Sequence, residues 1–277
     1  MRLFETFKLD NPLLQKYISY YYIDIADDEF YRNEYICYPH YNNTISLYKN
    51  HEVNFIDKHS QIIYNPNSSP LQIFTPLRET ILKVTQTGPV HKIGIVFEPF
   101  GINQFLSSTL NIGERRSSPD FSFFEDEFLN KLFQLKSLES VKQELNKALL
   151  DKFFPNVNDY VAKAIQLFHT SIDEISIDDI AENKLGITRK HLNSLFKRYI
   201  GTTPQKYRSI VRFRQLMNYK LNKSTLSNLT ALSHQVHYTD QSHFIKACKQ
   251  LTGLKPSQFF KDGKIVGSED IFWNFKL

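Results

Sequence analysis

The sequence predicts an α+β chain in two parts: an antiparallel β-barrel or sandwich with flanking helices, then an all-α region of two helix-turn-helix units joined by a linker helix. Three observations carry this. Positive charge is concentrated, with fifteen Lys or Arg and one acid, Asp240, between Asn183 and Lys261, against 19 Lys+Arg and 28 Asp+Glu elsewhere. Residues 188–207 recur at 240–259 with an offset of 52. Ahead of this segment, short runs of alternating apolar residues are bounded by Asn, Pro and Gly, the pattern of successive antiparallel strands.

In order along the chain, the periodicity predicts a helix over Pro12 to Tyr20 and then strands over Thr44 to Tyr48, Glu52 to Ile56, Gln61 to Tyr64, Leu71 to Phe74, Ile81 to Thr85 and His91 to Phe97. Amphipathic helices follow over Phe123 to Leu135 and Leu138 to Phe153. Residues 1–156 hold 16 Lys+Arg against 19 Asp+Glu and are rich in Tyr and Phe, unlike the basic part. The join falls near Pro155 to Asp159. This divides the chain into a domain over 1–156, a second over 157–265 and a tail over 266–277.

The repeat itself matches His191 with His243, Lys197 with Lys249, Gly201 with Gly253 and Pro204 with Pro256. In each copy a capping residue, Thr188 or Asp240, opens a helix. A Gly at its far end suits a left-handed position, and a Pro three residues later starts the next helix. A shorter helix precedes each, one capped by Ser176 over Ile177 to Glu182 and one capped by Asn228 over Leu229 to Gln235.

Helical spacing assigns the faces of these units. Leu192, Leu195, Phe196 and Tyr199 recur at i, i+3, i+4, i+7 and form a buried stripe, which turns Arg189, Lys190, Asn193, Ser194 and Lys197 outward. In the second unit Phe244, Ala247 and Leu251 face inward, and Gln241, Ser242, Ile245, Lys246 and Lys249 face outward. Thr203 and Pro204 open the linker helix, which runs to about Leu221 with Tyr207, Ile210, Val211, Met217 and Leu221 on its contact side. Eighteen residues at roughly 1.5 Å each span about 27 Å, compatible with two recognition helices set one duplex turn apart, roughly 34 Å. A local excess of +14 (fifteen minus one) in a protein of net charge +5 is the electrostatic footprint of a surface that meets phosphates.

These residues resemble the DNA-binding domain of the AraC/XylS family of bacterial transcription regulators over about residues 160–261. The matching stretches are I-D-D-I-A, T-R-K-H-L-N-S-L-F-K-R-Y-I-G-T-T-P-Q-K-Y, V-R-F-R, Y-T-D-Q-S-H-F and G-L-K-P-S-Q-F-F. The resemblance implies base contacts from Arg189, Lys190, Asn193 and Ser194, and from Gln241, Ser242, Ile245 and Lys246. Lys197, Arg198 and Lys249 are placed toward phosphates. Arg and Lys suit guanine, and Asn and Gln suit adenine. Three departures stand out: an extra residue in the first turn, where Glu182 to Leu185 separate Ala181 from Gly186; His237 in place of a common Gly; and Cys248 in place of a large aromatic. The first predicts a bulged turn or an overrunning helix, the second a strained turn, the third a looser second unit.

The stretch F-E-P-F-G-I-N-Q-F-L, with N-P-L-L-Q-K-Y-I-S-Y-Y-Y and Y-P-H-Y-N-N-T-I-S-L-Y, resembles a subgroup whose first half is a cupin-like sensor domain. That implies a ligand pocket inside the barrel, for which Tyr38, Tyr48, Phe55, Phe74 and Phe97 are candidates, each of which could equally be plain core. A metal oxygenase on the same fold would need clustered ligands, whereas His40, His51, His59 and His91 are scattered and no His-x-His pair occurs. Phosphate-binding Gly loops, Gly-x-Ser-x-Gly and Cys-x-x-Cys are also lacking, so the expectation is a non-enzyme with no catalytic residue, no metal and no cofactor.

The 277 residues, 41% of them hydrophobic, suffice for two cores, and no signal-like or ~18-residue apolar stretch occurs, which predicts a cytoplasmic protein without membrane contact. Cys37 and Cys248 are expected reduced. The expected partners are duplex DNA, a small-molecule effector, RNA polymerase and a second copy of the chain. A homodimer would use Leu138, Val141, Leu145 and Leu149 at near-heptad spacing, a stripe that can also pack on its own barrel. The competing reading is a DNA-binding adaptor or architectural protein whose first half is an interaction module without a ligand.

Overall fold

The computed structural model describes residues 2–106, 121–156, 158–170, 175–222, 241–262, 264–266 and 271–275. Two sheets face each other. The first has the order β1-β2-β9-β4-β7, from β1 (Arg2–Phe7), β2 (Ile18–Ala26), β4 (Asn43–Tyr48), β7 (Leu71–Thr75) and β9 (Val90–Phe97). The second has the order β10-β11-β3-β8-β6-β5, from β3 (Arg32–Cys37), β5 (His51–Ile56), β6 (His59–Tyr64), β8 (Leu82–Thr87), β10 (Lys264–Val266) and β11 (Ile271–Phe275). All pairings are antiparallel except β6 with β8.

Period-2 alternation sorts every strand of the first sheet between two cores. Tyr21 and Ile23 of β2, Ile45 and Leu47 of β4, Phe74 of β7 and Ile93, Ile95 and Phe97 of β9 face outward, under helices α1 (Asp126–Leu132) and α2 (Leu138–Lys152). Their neighbours Tyr20, Tyr22, Tyr48, Ile73 and Val96 face inward, toward Tyr35, Ile62 and Val84 of the second sheet. A sheet covered on both faces reads as a near-continuous apolar run rather than a clean alternation. That explains I-S-Y-Y-Y-I-D-I-A, whose first three residues were expected in a helix over Pro12 to Tyr20. Instead the only helical turn there is Leu14–Lys16, where Asn11 Oδ1 accepts from Leu13 N and Leu14 N at 2.9 and 3.2 Å, and β2 starts at Ile18. Aromatic and β-branched content with burial on both faces favours the strand. On α2, Val141, Leu145 and Leu149 are buried against the barrel and Leu138 packs beside them, so the near-heptad stripe is covered within the chain.

The helical half comprises α3 (Asp159–Thr170), α4 (Ile177–Asp179), α5 (Arg189–Tyr199), α6 (Pro204–Asn222), α7 (Gln241–Thr252) and α8 (Pro256–Asp262). One core joins it to the barrel, since Tyr38, Leu77 and Phe100 cluster with Phe196, Tyr207, Phe213 and Phe259. Polar contacts reinforce this seam. Glu79 takes Lys206 Nζ at 2.6 Å and the Thr202 hydroxyl, and Asn103 Nδ2 donates to the Tyr199 carbonyl at 3.2 Å. Tyr38 meets Phe259 edge-on at 4.6 Å, and Phe100 meets Tyr199 at 5.8 Å.

His169 lies in the same seam, its ring 4.8 Å from that of Tyr41 and its Nε2 2.9 Å from the Tyr207 hydroxyl. Burial pulls its pKa down to about 4. The ordinary unfolded value is about 6.5, so the unfolded chain binds more protons between the two values. The contribution is therefore fully present above pH ~6.5 and is lost as pH falls toward about 4. Burial acts on His91 in the same direction. His169→Gln is expected to remove part of this acid loss, on the order of 1 kcal/mol for a half-buried group; melting curves across that pH range check it.

Candidate nucleic-acid interface and barrel cavity

The first recognition element is built by local rules. Ser176 Oγ accepts from Asp179 N at 2.9 Å and opens α4, which passes into a π-helical turn over Ile180–Lys184. The Leu185 N to Ile180 O bond spans five residues, so the turn absorbs the extra residue noted in the sequence as a bulge. Gly186 follows at φ 67°, a left-handed backbone that glycine tolerates. Thr188 Oγ1 then accepts from His191 N at 3.2 Å and starts α5. Gly201 and Gly253, at φ 88° and 77°, end α5 and α7, and Thr203 Oγ1 accepts from Lys206 N at 3.3 Å at the head of α6.

With Leu192 and Phe196 fully buried, α5 is fixed in rotation. One surface groove is lined by Arg189, Lys190, Asn193, Ser194 and Lys197, so the structure brings together the outward residues of the first unit. All but half-buried Asn193 are exposed. Arg189 Nη1 bonds Asp178 Oδ2 at 2.8 Å, an exposed pair of little strength that can exchange for a phosphate or base. Arg198 is exposed too, its guanidinium 5.4 Å from the Tyr199 ring centre.

On α7 the inward Phe244 and Cys248 are fully buried, while Ile245, Lys246 and Lys249 are exposed. Gln241 and Ser242 belong to α7, but their side chains lie outside the described residues, as do Asp240, His237 and the helix expected over Leu229 to Gln235. Cys248 fills its core position beside Thr252, whose hydroxyl donates to the Cys248 carbonyl at 2.7 Å; burial raises its thiol pKa to about 11.

Between the two sheets lies a cavity of about 80 Å³ whose walls include Tyr38 and Tyr48. Phe74 and Phe97 have the opposite parity on their strands and sit in the core beneath α1 and α2, and Phe55 packs partly buried against the inner core without lining the cavity. What sequence reasoning missed here is Lys92, only 4% exposed, with its ammonium 5.0 and 5.1 Å from the ring centres of Tyr22 and Tyr48. Such cation–π contacts help a buried ammonium keep its charge. The signal was an isolated Lys in the apolar run His91 to Phe97. Gly94, the cross-strand partner of Tyr22, makes room for that ring: a Cβ on it would lie 2.0 Å from Tyr22 Cε1. Gly94→Ala is therefore expected to displace Tyr22 and destabilise the barrel by about 1–3 kcal/mol, as overpacking does; a denaturant titration measures it.

Arg78 and Arg214 also line the cavity, the second reaching it from α6 with 2% exposure. The Cys37 thiol feels both nearer cations: burial pushes its pKa up, and Arg78 and Lys92 oppose the rise. Among the described residues, no group of three or more His, Cys, Asp or Glu is placed to hold a metal ion, and no helix is long and apolar enough to cross a membrane.

Comparison with known proteins fits this geometry. A helix-turn-helix domain family matches residues 182–262. The lactose operon transcription activator of Staphylococcus xylosus is 32% identical over 91 residues, which cover 32% of each chain. The Msm operon regulatory protein of Streptococcus mutans is 25% identical over 161 residues, covering 58% of this chain and 56% of the relative. The matches thus span between about a third and just over half of these relatives' length. The crystal structure of ToxT from Vibrio cholerae O395 aligns over 87% of this chain and 97% of its own at 13% identity, with a TM-score of 0.46, too loose a likeness to bear on function. Residues 182–262, which hold α5, α6 and α7, are thus a helix-turn-helix domain.

Proposed function

We propose that this chain is a sequence-specific transcription regulator that reads two successive major grooves of duplex DNA with α5 and α7, under the control of an effector bound in the barrel. The observation that carries the reading is the α5 groove, where Arg189, Lys190, Asn193, Ser194 and Lys197 converge on a helix locked from behind by Leu192 and Phe196. Base contact falls to the first four, with Gln241, Ser242, Ile245 and Lys246 as their counterparts on α7, and phosphate contact to Lys197, Arg198 and Lys249. Two similar regulators named for operons support transcription control as the process. The seam through Glu79, Asn103 and Phe100 gives the barrel a direct hold on α5 and α6. Selection of bound duplexes from a random pool, then footprinting of the winner, tests this. The expected result is about 20 protected base pairs with two informative patches one turn, roughly 34 Å, apart. A single patch would remove base reading from α7, and no enrichment with or without candidate effectors would overturn the proposal in favour of a nonspecific DNA-binding adaptor.

A further inference from the structure

We propose that Asp178 is a positioning residue for base reading, which holds the Arg189 guanidinium ready for a guanine edge and keeps it off the phosphate backbone. This rests on the reading of α5 as a DNA-recognition helix and adds to it a residue from the preceding helix, α4. Geometry is the first argument. Arg189 Nη1 donates to Asp178 Oδ2 at 2.8 Å. A guanidinium has further N–H donors beyond the one so engaged, and these suit the paired acceptors O6 and N7 of a guanine. Asp178 is itself held in place: the Ser176 cap opens α4, and buried Ile177 and Ile180 fix its rotation. The neighbouring acid, Asp179, is engaged by Asn183 Nδ2 at 2.7 Å, so Asp178 is the one of the two that meets α5.

Charge gives the second argument. α5 opens with Arg189 and Lys190 and has no acid in its first turn, although the start of a helix carries partial positive charge and disfavours cations. Helix stability therefore does not account for Arg189. Nor does the ion pair serve the fold, since both side chains are half exposed and such pairs add little. At a DNA surface the carboxylate discriminates. Turning to a phosphate would pull Arg189 from Asp178 and set the acid against the backbone charge, whereas a base edge is neutral and leaves the pair intact. Ordering a long side chain also costs rotamer freedom, and a partner that holds one nitrogen before DNA arrives removes part of that cost. The repeat supplies a contrast: 52 residues further on, the positions of Asp178 and Arg189 are taken by Thr230 and Gln241, an uncharged combination whose Gln suits adenine. The device belongs to the first unit.

The test uses the full chain on the duplex selected from the random pool, with each base pair replaced in turn. Arg189→Ala first marks the pair that Arg189 reads. At that pair Asp178→Asn is expected to lower the preference for guanine about tenfold. Affinity for scrambled duplexes should meanwhile hold or rise, and the slope of log affinity against log salt should steepen by up to about 1 as the released Arg189 finds a phosphate. Asp178→Glu, which restores the charge, should return most of the preference, and Asp178→Asn should change nothing further in an Arg189→Ala background. Preferences in the half-site of α7 should stay as they were, and Asp178→Asn should melt like the starting protein. No pair marked by Arg189→Ala, a guanine preference untouched by Asp178→Asn, or an equal gain on matched and scrambled duplexes, the mark of a plain repulsive charge, would each overturn the proposal. So would an equal loss in both half-sites with a lower Tm, the mark of a structural role. A pool that yields no preferred duplex would overturn the DNA reading and this inference with it, whereas a preferred duplex that ignores Asp178 refutes this inference alone.

Discussion

Phe196→Ala is expected to destabilise the chain by about 3–5 kcal/mol and to abolish recognition by the first unit. The ring is fully buried and lies 5.8 Å from Phe168 and 5.6 Å from Tyr207, so its removal leaves a cavity where α3, α5 and α6 meet. Truncating a buried phenylalanine costs that much because lost transfer energy and the residual void add. Against a typical total of 5–15 kcal/mol the loss is a large fraction. Chemical denaturation followed by circular dichroism measures it, and footprinting would show the half-site for α5 fading before that for α7. A loss under about 1 kcal/mol would mean that this core collapses around the gap and that α5 does not depend on it for its rotation.

The second large effect separates base reading from backbone grip. Arg189→Ala or Lys190→Ala should cost about 1–3 kcal/mol on the selected duplex and little on scrambled ones, relaxing base preference at one position. Lys197→Ala or Lys249→Ala should weaken binding to all duplexes alike and reduce the slope of log affinity against log salt by about 1. Equilibrium titrations on matched and scrambled duplexes at several salt concentrations distinguish the two classes. Equal losses on both duplexes for all four substitutions would remove the distinction between reading and gripping residues on α5 and α7.

Much of the helical half is legible in the sequence because its signals are local. Ser176, Thr188 and Thr203 cap the helices they were expected to cap, Gly201 and Gly253 take left-handed backbone, and Leu192 with Phe196 fixes the outward set by helical spacing. The extra residue before Gly186 predicted a bulged turn or an overrunning helix, and the bulge is what forms, as a π-helical turn. The barrel is less legible because its elements are defined by distant partners. β2 gains strand character from its ladder with β9, about eighty residues away in the chain where Ile18 pairs with Phe97, which a local window cannot see. Parity explains the strand candidates: Tyr48 reaches the cavity, while Phe74 and Phe97 point to the opposite face of the same sheet, and which face is inward depends on the sheet pairing; Tyr38 reaches it from just beyond β3. The polar content of the cavity was hidden for the same reason, as Lys92, Arg78 and Arg214 come from separate elements.

The pairing of β11 with β3, through Trp273 opposite Cys37 and Phe275 opposite Tyr35, has a mechanical consequence. Strands of the barrel flank the helical half in sequence, β9 of the first sheet before it and β10 and β11 of the second after it, so that half is a loop tied to the barrel at both ends. A body held at two points keeps one easy motion, rotation about the line that joins them, and drifting away requires both attachments to part. Closing such a loop confines the detached half to a small volume, where its effective concentration at the seam stays high. Because β3 also contributes Tyr35 and Cys37 to the cavity wall, one of the two suspension points runs through the wall that a ligand would touch.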